Sequence, residues 1–464
     1  MNIGFLATSG LFYMLVVWYV APRHVSVNQF FTGKSNKKTE PAFLLLAASA
    51  AISWIFAKSI VNSAALTHAF GLWGGFGYAI YYLSFIVVAV TIYFLRVHGG
   101  YRSLPNFIST RYGALCMKLF IIAIAIRLFN EVWSNTKVVG LFFGDEGGGG
   151  YWLAVIIFTL FTAFYTLKSG LRGSLLTDGL QMLLASILLV IVMASILPSF
   201  SGGLPAATET QVAGGITFAL LALVQITSYG FHDPVLTDRA FVTNPKRMLG
   251  AFCLAGLVGG TFIVLFGLTG LYAKTIGHEN GNIMASIAGA VSLPLLIVFN
   301  VMMLTSAGST LDSTFSSTAK MTALDFNQQA TADQKALSKG RISIVIIALL
   351  GNLPLLSLYL GDKVGPAIIA ATTISGTMVM GLAPIFLLSF IRRAGVLSFH
   401  LSFWAGLALG IWLAVAKASV PAWMIIGSGK YAVHLGVNVW GLALCSLLYV
   451  AAAFIVPAKS IAKN

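Results

Sequence analysis

The sequence predicts an all-α integral membrane protein of about thirteen transmembrane helices. Three observations carry this. The 464 residues are 58% hydrophobic and 9% charged, outside the range of an ordinary soluble domain. Apolar runs long enough for a span of about 20 residues recur along the chain. Lys and Arg segregate to alternate connections, as the positive-inside rule requires.

The runs lie at 3–21, 42–66, 74–95, 113–142, 151–168, 173–199, 212–231, 248–273, 286–320, 341–360, 364–391, 398–417 and 434–456. The first has no Lys or Arg before it and reads as a retained span rather than a cleaved signal. With Met1 outside, the cytoplasmic connections and tail hold 21 of the 28 basic residues. Four lie on the other side: Lys274, Lys363, Lys417 and Lys430. Three fall within spans: Lys58, Arg127 and Lys137. The expectation is a multi-pass protein of the cell membrane, N-terminus outside and C-terminus cytoplasmic. The net charge of +15 thus reflects membrane topology and lipid contact, not nucleic acid.

Other chemistry is thinly represented. Cys116, Cys253 and Cys445 lie in separate spans without metal spacing. The acidic glycine loop at 144–150 lacks the Lys of a phosphate cradle and reads as a linker. No nucleophile–base or metal constellation stands out, so no catalytic residue or organic cofactor is assigned and an enzyme is not expected. Oligomeric state is open; a monomer suffices for this reading.

The ten spans between 42 and 391 divide into two sets of five. Five is odd, so the second set starts on the opposite side of the membrane, the topology of an inverted repeat. The units are then 1–41 (an extra span and loop), 42–200 (first repeat), 201–391 (second repeat) and 392–464 (two further spans and a tail). The second repeat opens on Thr227-Ser228-Tyr229-Gly230-Phe231-His232-Asp233-Pro234, which predicts a helix break. The first opener is polar at Ser53, Lys58, Ser59, Asn62 and Ser63 but has no Gly or Pro, so a break there has little local support.

The strongest functional signal is Ser306 to Lys320. Ser306, Ser309, Thr310, Asp312, Ser313, Ser316, Ser317 and Lys320 share one arc of about 160° on a helix, with small apolar residues opposite. Hydroxyls and a carboxylate within a membrane mark a pathway or site. Oxygen donors of this type suit a hard cation such as sodium. Ser316, Ser317 and Lys320 read as its wet cytoplasmic exit.

Several segments resemble the sodium/solute symporter family: Trp54 to Gly71, Arg102 to Gly113, Gly170 to Gln181, Asp233-Pro-Val-Leu-Thr-Asp-Arg239, and Ser309-Thr-Leu with Leu324-Asp-Phe326 beyond it. The match follows chain order over nearly the whole length. The resemblance implies a LeuT-type 5+5 inverted repeat with one extra N-terminal and two extra C-terminal helices. It implies a sodium-coupled symporter that imports a small organic solute by alternating access. It places sodium on the hydroxyls of Ser309 and Thr310 and the carbonyls of Ser306, Ile52 and Ile55. By the same resemblance, Asp178 with Ser309, Asp312 and Ser313 is a candidate second cation or proton site. Asp312 stands where relatives tend to have a hydroxyl. Substrate-site candidates are Trp54, Lys58, Ser59, Asn62, Glu131, Phe231 and His232. Lys58 departs from sugar-carrying relatives. It either holds the carboxylate of an anionic solute or pairs with Glu131, with Arg127 four residues away as a competing partner. A proton-coupled transporter of the same fold and a transporter-like membrane sensor are the alternatives.

Overall fold

Three of the predicted core spans are interrupted, and the interruptions decide where polar chemistry sits. The computed structural model describes residues 3–35, 39–277, 292–327 and 329–456, with the side chains of residues 3, 362 and 363 left aside. Every regular element among them is helical. Residues 286–291 of the ninth predicted run, and Lys37, Lys38, Lys459 and Lys463, lie outside the described residues.

Among the described residues, seven helices are long and apolar enough to cross a membrane, and an eighth crossing is the bent pair Phe43–Trp54 and Ala57–Phe70. The remaining predicted runs differ for visible reasons. Ile3–Val20 is apolar but short. Ala114–Gly140 carries Arg127, Glu131 and Lys137. Runs 151–168 and 173–199 continue as Gly149–Ile196, kinked at Gly170. Its φ of 49° is open to glycine, and a Cβ there would strike Phe30 at 2.5 Å.

The first core span breaks despite having no Gly or Pro. Ile55 (φ −78°, ψ 68°) and Phe56 (φ −60°, ψ 146°) leave helical geometry, and the two halves diverge by 62°. Side chains from elsewhere cover the carbonyls this exposes. The Tyr82 hydroxyl donates to Trp54 O at 2.8 Å, and the Ser306 hydroxyl donates to Ile55 O. A broken membrane helix needs that compensation.

The sixth core span breaks where its sequence indicates. Glu209–Gln225 ends, Tyr229–His232 forms a 3-10 turn, and Pro234–Arg239 restarts under an Asp233 cap. Asp233 Oδ1 accepts Val235 N–H at 3.0 Å.

The tenth core span is not the continuous helix that the run 364–391 predicts. Gly361–Ala371 stops, the chain unwinds, and Leu382–Leu387 resumes the helix. The neighbouring helix Val396–Val415 presses on the unwound segment: a Cβ on Gly406 would lie 2.5 Å from Gly381 N, and one on Gly410 2.5 Å from Met378 Cα. Ser402 donates to Gly381 O and Asn438 to Thr377, satisfying polar groups there. None of these neighbours is local in sequence.

The eighth core span, Leu293–Lys320, is buried along most of its length, and Met302 through Ala319 form an unbroken buried stretch. The span packs against Gly149–Ile196, Ala114–Gly140 and the first core span. Ser316 and Ser317 are buried as well, so the wet exit expected there is closed in this state. The seventh span, Pro245–Thr275, approaches the first so closely that a Cβ on Gly270 would sit 2.0 Å from Ala64 O.

Candidate functional site

Two polar centres flank the break in the first core span. The ion-binding candidates form one. Ile52 O accepts Ile55 N–H at 3.1 Å, Ile55 O accepts the Ser306 hydroxyl, and Thr310 Oγ1 donates to Ser306 O at 3.1 Å. The Ser309 hydroxyl donates to Asp178 Oδ1. Of these bonds, Ser306 to Ile55 O joins the first and eighth core spans; those of Ile52 and Thr310 stay within their own spans, and Ser309 turns to Asp178. The donor set at that junction is all oxygen, which fits a hard cation.

Asp178, Asp312 and Ser313 adjoin it, together with a residue that the charge pattern assigns to a cytoplasmic loop. Arg239 is fully buried and pairs with Asp178 at 2.8 Å. Its Nη2 also donates to Ser313 at 2.6 Å and Ser174 at 3.2 Å, its Nε to Ser49 at 2.7 Å, and its Nη1 to Val235 O at 2.6 Å. Asp312 accepts from Tyr165, Thr177 and Ser174 at 2.7, 2.7 and 2.8 Å. Ser53 joins Asp178 to Ser313 at 3.3 and 3.0 Å. Sequence reasoning missed Ser49, Ser53, Tyr165, Ser174, Thr177 and Arg239 as members of this centre. The four-residue spacings of Ser49 and Ser53, and of Ser174 and the candidate Asp178, were signals available in the sequence.

The second centre lines a cavity of about 540 Å³ between the broken spans. Trp54, Lys58, Ser59 and Asn62 line it, joined by Tyr78, Tyr81, Gln225, Tyr229 and Thr373. The cavity extends to Lys430 and Tyr431, in a connection the charge pattern assigns to the outside. Phe231 and His232 do not line it. Phe231 is buried in a stack on Phe386, centroids 4.4 Å apart, and the buried His232 ring meets Tyr229 edge-on.

Glu131 lies behind Lys58. Lys58 Nζ donates to Glu131 at 2.8 Å, Ser134 at 2.9 Å and Asn130 at 3.2 Å, engaging its three N–H groups. Arg127 bridges Glu131 at 2.5 Å and Asp233 at 2.9 Å. Two cations and two carboxylates thus balance. Apart from both centres, Lys320 bridges Asp238 at 2.6 Å and Asp325 at 2.8 Å, tying the end of the sixth span to the end of the eighth.

Two bent spans crossing a straight, hydroxyl-lined span define a LeuT-type fold. Solved structures bear this out. The chain superposes on a Na+-coupled sialic acid symporter in a substrate-bound outward-open state with a TM-score of 0.72 and 15% identity, covering 100% of this chain and 99% of that one. Mhp1, a nucleobase-cation-symport-1 family transporter in a closed conformation with bromovinylhydantoin bound, gives 0.60 at 15% identity over 93% and 96%. MhsT in complex with L-phenylalanine gives 0.54 at 16% identity over 89% and 97%. No family model matches the chain. A 191-residue match, 39% of this chain, is 25% identical to the urea active transporter of Saccharomyces cerevisiae and spans 24% of that protein.

Proposed function

We propose that this protein is a sodium-coupled symporter of the sodium/solute symporter type, importing a small organic solute by alternating access. The observation that supports the reading is the Ser306 bond to Ile55 O where the first core span breaks against the eighth, on the same stretches of chain that carry Ile52, Ser309 and Thr310. Sodium there joins two helices that must separate for the cytoplasmic side to open. The solute occupies the cavity beside Trp54, Lys58, Ser59 and Asn62. Sodium and solute then tighten each other's binding by the same factor.

The solute we favour is polar and net neutral. Lys58 read alone points to a carboxylate, yet its donors are engaged and the Lys58–Arg127–Glu131–Asp233 group sums to zero. The partial likeness to a urea transporter agrees with a neutral amide. Thermal-shift measurements on purified protein in sodium and in choline, with neutral amides, monocarboxylates, amino acids and sugars, test this. Sodium-dependent stabilisation by a neutral solute is expected. Equal stability in sodium and choline for every solute would refute sodium coupling; selective stabilisation by monocarboxylates would restore the anionic reading.

A further inference from the structure

Resting on the sodium reading, we propose that Arg239 is a tethered cation standing where a second coupling ion would bind, so that this chain binds one sodium ion. Asp178, Asp312, Ser174 and Ser313 converge as a buried oxygen set of the kind a hard cation takes. A nitrogen already fills it: Arg239 Nη2 lies 2.6 Å from Ser313 Oγ, 2.8 Å from Asp178 Oδ2 and 3.2 Å from Ser174 Oγ. A guanidinium does not lose its proton in a protein, so this charge is permanent. Three of the four residues thus already donate their oxygens to a fixed cation, and a sodium on the same oxygens would lie against the guanidinium. Ser309 connects this centre to the neighbouring junction through its bond to Asp178.

Equilibrium binding of radioactive sodium to the purified full chain, in choline buffer without solute, tests the proposal. Wild type is expected to bind one sodium per protomer, Arg239→Lys one, and Arg239→Gln two, because the exposed carboxylates then recruit an ion. Two ions on wild type would overturn the proposal and leave sodium coupling intact. No sodium on wild type would overturn both. A monodisperse Arg239→Gln protein that still binds one ion would also overturn it. Should that variant not fold, the wild-type count decides alone.

Discussion

Glu131→Gln is the sharpest test of the balanced cavity. The change is nearly isosteric and removes one negative charge from a side chain that is 1% exposed. Lys58 and Arg127 then face Asp233 alone, and the group carries +1 while Lys58 keeps its proton. Breaking a buried pair costs about 3–5 kcal/mol. The cost here falls toward the lower end because Arg127 keeps Asp233 and the Lys58 side chain is 20% exposed. For a solute carboxylate about 6 Å from the new charge, an effective dielectric of about 20 gives roughly 3 kcal/mol of attraction. That is on the order of a hundredfold in affinity. The assay is ligand-dependent thermal stabilisation in sodium, comparing a neutral amide with a monocarboxylate. The variant should gain a monocarboxylate response that wild type lacks. A folded variant with unchanged selectivity would refute the charge-balance argument.

Ser309→Ala and Thr310→Ala each remove one proposed sodium ligand and should weaken sodium activation about tenfold, in line with roughly 1–2 kcal/mol per lost polar contact; unchanged sodium titrations would dismiss the junction as the ion site. Lys320→Ala releases Asp238 and Asp325 and should speed labelling of a cysteine placed at Ser316 by a thiol reagent added from the cytoplasmic side, with equal labelling rates contradicting a closed inner gate. Gly270→Ala puts a methyl 2.0 Å from the Ala64 carbonyl, a backbone atom that cannot swing aside, and should lower the melting temperature by several degrees. An unchanged melting temperature would mean the first and seventh spans pack more loosely than that distance requires.

Hydropathy made the spans legible because it acts residue by residue. The break at Thr227–Pro234 was legible for the same reason: Gly and Pro act locally. The break at Ile55 was not, since its carbonyls are covered by Tyr82 and Ser306, distant in sequence. Unwinding in the tenth span follows from glycines on a neighbouring helix. Arg239 read as a loop cation because its charge suits the cytoplasmic side; only the fold shows that Pro234–Arg239 turns inward. Lys58 and Glu131 were legible as a pair, but the part Asp233 plays in holding Arg127 was not.

The buried ion pairs also set an order of assembly. Asp178 emerges 61 residues before Arg239, and Arg127 precedes Asp233 by 106. At about 5–20 residues per second, synthesis leaves Asp178 without its guanidinium for roughly 3–12 s. Neither repeat can reach its final charge balance until the sixth span has been made. The short helix Pro234–Arg239 therefore acts as a late keystone: until it is made, Asp178 has no guanidinium partner.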